Sequence, residues 1–293
     1  MHRCIAAAVV FCAVLGARGE AASGPPFAVV PYSQNGKLIA LTVRVNASRP
    51  LRFVFDTGAR STVIDAAVAR SLGLRTIAQD RGAGAGRGTF AEAHAAPLDV
   101  SFGAIRLRVD HPLIIDLRTT GTRDPIAGLI GVELLHKYVV RIDPLARTMT
   151  LYDPAHFAYA GTGAAVALRS VENRLYVPMK LALDGGDSVL HQLRVDTGSE
   201  DAASDNFVRR SRVLRTTLQG VGLGTPYRDV SGVFASVQIG PYVLRNAWGP
   251  SNDNPAVGME ILRRFTLTFD LPANRLYLEP NAAFTEPIPS PAP

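Results

Sequence analysis

The tripeptide Asp-Thr-Gly stands twice in this chain, at Asp56-Thr57-Gly58 and at Asp196-Thr197-Gly198. Each copy follows an apolar run. The first run is Phe53-Val54-Phe55; the second is Leu193-Arg194-Val195, with one polar interruption. A single copy would be ordinary turn material. Two copies in matching settings constrain the fold, because they imply a repeated unit. Two carboxylates facing each other about 3 Å apart cannot both ionise, so they share one proton. One then acts as base and the other as acid on a single water.

The repeat extends beyond the tripeptide. Nine residues after each aspartate stands another, Asp65 and Asp205, each where a helix N-cap belongs. Each half then has a glycine-rich stretch, Gly82 to Gly88 and Gly220 to Gly224. Next comes Gly128-Leu129-Ile130-Gly131-Val132-Glu133, answered by Ala256-Val257-Gly258-Met259-Glu260. Both lead into a strand, a Pro-containing turn at Asp143-Pro144 or Asp270-Leu271-Pro272, and a second strand. The two turn aspartates read as turn formers rather than as acids or bases.

This set of features resembles the pepsin/retropepsin superfamily of aspartic peptidases. The length and plain halves look closer to bacterial retropepsin-like proteins than to the larger pepsins, and the likeness covers nearly all of the chain after its leader. The resemblance implies an all-β fold with few short helices, arranged as two β-barrel lobes about a pseudo-twofold axis. It implies that Asp56 and Asp196 form a catalytic dyad, with Thr57 and Thr197 interlocking the two loops. Gly58 and Gly198 would permit close backbone approach. Ala59 and Ser199 follow them; alanine there looks like the retropepsin pattern and serine like the pepsin pattern. A serine can donate to its carboxylate and favour ionisation, so the mixed pattern implies a mildly acidic optimum. The glycine-rich stretches would be flaps over substrate, with Gly84, Gly86, Arg87 and Gly88 in one and Gly222 and Gly224 in the other. A plain surface loop is the alternative for each.

The implied activity is that of an aspartic endopeptidase acting on peptides or proteins, with no metal and no cofactor. The second half departs from the pattern at Glu200-Asp201-Ala202-Ala203-Ser204, where the first has Arg60-Ser61-Thr62-Val63-Ile64. The acidic pair would disturb Asp196 if it points inward and do nothing if it points to solvent. A catalytically inactive peptide-binding relative, or an envelope interaction protein of the same fold, is therefore the alternative.

Composition bounds the rest. In 293 residues, 47% are hydrophobic and 19% charged, enough for a substantial core. Short Val-, Leu- and Ile-rich runs punctuated by Gly and Pro favour strands. The expected organisation is a signal peptide at 1–22, lobes at 27–154 and 166–280, a linker of small residues at 155–165, and a Pro-rich tail at 281–293. Met1-His2-Arg3 followed by an apolar stretch from Cys4 to Leu15 reads as a secretory leader. A periplasmic or secreted location follows, without stable membrane insertion once the leader is removed. Both cysteines, Cys4 and Cys12, lie in that leader. The net charge of +6 is scattered and forms no long basic run, so nucleic acid is not an expected partner. The six histidines form no His-x-x-x-His or His-Glu-x-x-His pair. Two lobes in one chain remove the need for a second copy, so a monomer is expected.

Overall fold

The computed structural model describes residues 22–118, 122–220 and 222–290; the leader expected at 1–22 lies almost wholly outside them. The described chain is all-β. It contains three α-helices, none longer than six residues.

A ten-stranded sheet is built from residues 33–130. Its centre is Leu51–Phe55, flanked by Leu38–Val45 on one side and by Gly128–Ile130 on the other, with Val63–Asp65 next. An eight-stranded sheet is built from residues 169–257. There Ser188–Val195 lies between Arg174–Ala182 and Ala256–Val257, with Ala203–Ser204 beyond. Corresponding strands pair in the same sense in both sheets. Gly128–Ile130 runs parallel to Leu51–Phe55 and antiparallel to Val63–Asp65. Ala256–Val257 runs parallel to Ser188–Val195 and antiparallel to Ala203–Ser204. The register agrees too, with Ile130 opposite Phe55 and Val257 opposite Val195. Residues 201–204, which break the apolar pattern, still form the strand, shortened to two buried residues.

A six-stranded sheet draws on both halves. Val139–Asp143 and Phe265–Asp270 are its two central strands and pair antiparallel from Val140–Phe269 to Ile142–Leu267. Their side chains are apolar and buried on the inner face, including Val140, Ile142, Leu267 and Phe269. Burying such surface supplies roughly 25 cal/mol per Å², and here it joins the two halves in one core.

The expected β-barrel lobes are corrected in one respect: neither large sheet closes. The ten-stranded path ends at Thr76–Gly82, a strand with six of its seven residues exposed. The polar sequence Gln79-Asp80-Arg81 gives it no apolar edge to pack shut. The caps fall where expected. Asp65 Oδ1 accepts from Ala67 and Val68 N–H at 2.9 and 3.1 Å and starts helix Ala66–Ser71. Asp205 accepts from Phe207 N–H at 2.7 Å, but starts a 3-10 helix, Asn206–Arg210. Asp143 and Asp270 accept from the N–H groups of their own turns, as turn residues do.

Candidate active site

Each Asp-Thr-Gly loop leaves the end of a central strand. Asp56 N–H donates to Ile130 O at 2.9 Å, and Asp196 N–H to Val257 O at 3.0 Å. These bonds continue the parallel pairing by one residue and set where each loop begins. Each loop then turns back on itself, with Ala59 N–H reaching Asp56 O at 3.2 Å and Ser199 N–H reaching Asp196 O at 3.3 Å. Further on, Ala59 O accepts from Val132 N–H and Ser199 O from Met259 N–H. The duplication is therefore geometric as well as sequential.

The threonines tie the loops together. Thr57 N–H donates to Thr197 Oγ1 and Thr197 N–H to Thr57 Oγ1, both at 3.0 Å. Thr57 Oγ1 donates in turn to Val195 O at 2.7 Å, and Thr197 Oγ1 to Phe55 O at 2.8 Å. Both threonines are fully buried, so all four bonds are shielded from water. The glycines show what this achieves. A Cβ on Gly58 would lie 2.6 Å from Asp196 Oδ1, and one on Gly198 would lie 2.4 Å from Asp56 Cγ. Each carboxylate thus packs on the other half's loop, in space that only glycine leaves free.

Each carboxylate accepts an N–H from the glycine of its own loop, Gly58 to Asp56 Oδ1 at 2.8 Å and Gly198 to Asp196 Oδ1 at 3.1 Å. Burial, then the charge of Asp196, push the Asp56 carboxyl up to about 7 from its ordinary 3.8. The Gly58 bond and Arg194 pull the other way without prevailing.

Arg194, the polar interruption of the second apolar run, joins the site as well. Its Nη2 donates to Asp196 Oδ2 at 2.7 Å as an ion pair. Side chains two apart on a strand share a face, so a charged residue two before the aspartate was the available signal. Burial opposes the Arg194 charge, but Asp196 and Asp56 outweigh it and raise its pKa further.

Ser199 departs from expectation. Its Oγ accepts from Asp201 N–H at 3.3 Å, and no bond to Asp196 is found among the described residues. The loop after Ser199 turns back, which draws its hydroxyl to the local backbone rather than to the carboxylate. Glu200 is engaged elsewhere: its Oε1 accepts from Lys37 N–H at 3.1 Å, across the two halves. Asp201 is exposed, yet crowding by protein atoms and then the charge of Asp196 raise its carboxyl pKa.

The glycine-rich stretches are hairpin tips. Thr76–Gly82 pairs with Phe90–Ala95, and Leu214–Gln219 with Tyr227–Ile239. The tips meet each other. Gly86 N–H donates to Leu223 O at 2.8 Å, while Arg87 and Thr225 exchange N–H···O bonds at 2.9 and 3.0 Å. Gly224, at φ +104°, lies so close that its Cβ would be 2.9 Å from Gly86 C. A Cβ on Gly84 would lie 2.5 Å from Leu223 Cβ. The Arg87 guanidinium stacks over the Tyr227 ring at 4.4 Å. Gly88 (φ +74°) and Gly222 (φ +157°) turn the chain at the tips. Asp80, Glu92 and His94 also converge on the first hairpin. Asp80 comes from the paired strand, so no local spacing in the sequence joins it to His94.

Two loops of one design are thus interlocked by threonines, and each presents an aspartate to the other. A sequence model of the family described as aspartyl protease matches residues 41–134. Over those residues the chain is similar to that family. No curated protein matches the chain. The matched stretch contains Asp56 and the first hairpin and stops short of Asp196, whose likeness rests on the internal repeat.

Proposed function

We propose that the chain is an aspartic endopeptidase in which Asp56 and Asp196 activate one water between two lobes, 27–154 and 166–280. The reciprocal threonine bonds carry this proposal, because they seat each carboxylate against the opposite loop. With one proton on the pair, the ionised carboxylate takes a proton from water as its oxygen bonds to the peptide carbonyl carbon. The protonated one gives its proton to the carbonyl oxygen. When the C–N bond breaks, the leaving nitrogen takes up the proton drawn from water, and one hydroxyl of the diol returns its proton to the other aspartate, which leaves a carboxylic acid, an amine and the one-proton pair. The substrate is a peptide or protein strand, enclosed beneath the paired hairpins. We further propose a monomer, delivered to the periplasm or secreted through the leader.

The raised Asp56 carboxyl sets the expected pH dependence. The one-proton form persists through mildly acidic pH, and activity falls as pH rises past about 7. The test is cleavage of a mixed-sequence peptide library from about pH 3 to pH 8, spanning the carboxyl range. Asp56→Asn and Asp196→Asn run beside the wild type, and each is expected to lose at least about 10³-fold in rate, as removal of a central catalytic group does. Cleavage surviving in either variant would exclude the shared pair. One observation favours a second function, a peptide-binding protein without hydrolysis: Arg194 already engages Asp196. A folded wild type that binds library peptides and cleaves none at any pH would establish it.

A further inference from the structure

We propose, resting on the two-aspartate function above, that Arg194 is a positioning residue: it fixes the negative charge of the pair on Asp196 and leaves the transferable proton on Asp56. The two halves match at strand, loop, threonine and glycine, and they differ next to the carboxylates at this residue. Val54, two before Asp56, is apolar and buried. Arg194, two before Asp196, is a cation bonded to Oδ2 at 2.7 Å. With Gly198 N–H on Oδ1, both oxygens of Asp196 are held by donors, as suits an ionised acceptor. Asp56 has its loop N–H and no bonded cation. A pair related by symmetry would divide the proton evenly; one arginine on one side divides it unequally.

Several other charged or titratable groups face the pair. Asp201 follows in the second loop and feels Asp196, with Lys37 and Glu200 beyond it. Tyr176, opposite Arg194 on the neighbouring strand, acts on the guanidinium. Arg194 is the one cation among them bonded to a carboxylate of the pair. The roles are therefore assigned before substrate arrives, with Asp196 accepting the proton of water and Asp56 donating to the carbonyl oxygen.

The test is carbon-13 NMR of aspartate carboxyls in the full folded protein, with pH–rate profiles alongside. In wild type, the Asp56 carbon should move through a step near pH 7 while the Asp196 carbon stays at its carboxylate position. Both carbons moving equally through that step would overturn the proposal. In Arg194→Met the two carbons should move together. Loss of a cation disfavours both deprotonations, so both limbs of the rate profile should shift to higher pH by about one unit. Arg194→Lys, which keeps the charge, should retain the wild-type limbs at reduced rate. A lower rate in Arg194→Met with both limbs unmoved would reduce Arg194 to a structural part and overturn the proposal. Should Arg194→Met not fold, the wild-type and Arg194→Lys titrations decide by the same criterion. An intact wild-type NMR pattern without hydrolysis would overturn the peptidase function while supporting the charge placement.

Discussion

Asp56 keeps its proton at a pH where a free carboxyl has lost it, and this has a thermodynamic counterpart. Its pKa is about 7 in the folded chain against an ordinary 3.8. Between those values the folded chain binds more protons than the unfolded one, so stability must fall as pH rises. The contribution is fully present below 3.8 and is lost as pH climbs through 7. Asp56→Asn cannot ionise and should escape the loss. Urea unfolding should find it more stable than wild type at pH 8 by about 1–4 kcal/mol, with the advantage vanishing near pH 4. An equal difference at both pH values would mean that the carboxyl titrates normally in the folded chain. The aspartates, threonines and glycines of the site were all legible in the sequence, because their repetition is local and needs no knowledge of packing. Arg194 was visible only as an interruption of an apolar run. Its role depends on which strand face it occupies and on what stands two residues later. Ser199 differs from the expected pattern for the complementary reason: its hydroxyl has a nearer backbone partner.

At the scale of elements, strands and caps followed from patterns within a few residues, whereas contacts between distant turns did not. Nothing in Gly82–Gly88 or Gly220–Gly224 signals that the two tips bond to each other. Their glycines read equally well as flexible loops. In the fold they are needed because the two backbones come within side-chain distance. Three backbone hydrogen bonds and the Arg87–Tyr227 stack hold the tips. Gly224→Val should part them, since its φ of +104° and its nearness to Gly86 both exclude a branched side chain. Hydrogen exchange should then quicken at the amides of Gly86, Arg87 and Thr225 by about tenfold or more, as expected when a local contact of roughly 1.4 kcal/mol is lost. The midpoint of global unfolding should barely move, because the tips carry little of the core. Unchanged exchange at all three amides would show that the tips do not pair in solution.

For the whole molecule the question is whether the halves unfold separately. A linker of small residues between two similar units suggests that they could. The six-stranded sheet and the crossed threonines argue for one unit, since neither half completes its own core. A second tie lies at the C-terminal end. Arg264 is fully buried and pairs with Glu260 Oε1 at 2.7 Å, while Lys37 of the N-terminal half reaches Glu260 Oε2 at 2.7 Å. Arg264 also donates to the carbonyls of Ala283, Glu286 and Pro287. That fastens the start of the Pro-rich tail. A buried guanidinium needs acceptors on every side, and the tail supplies three. Trp248 is the single tryptophan and lies in the strand Tyr242–Pro250 of the C-terminal half. Its fluorescence therefore reports that half, while far-ultraviolet circular dichroism reports both. The two urea curves should coincide in wild type, as one cooperative transition requires. Arg264→Met, which leaves Glu260 buried and short of a partner, should shift both curves together by roughly 3–5 kcal/mol. Curves that separate, with fluorescence moving alone, would mean that the C-terminal half folds as its own unit and that the shared sheet does not couple the two.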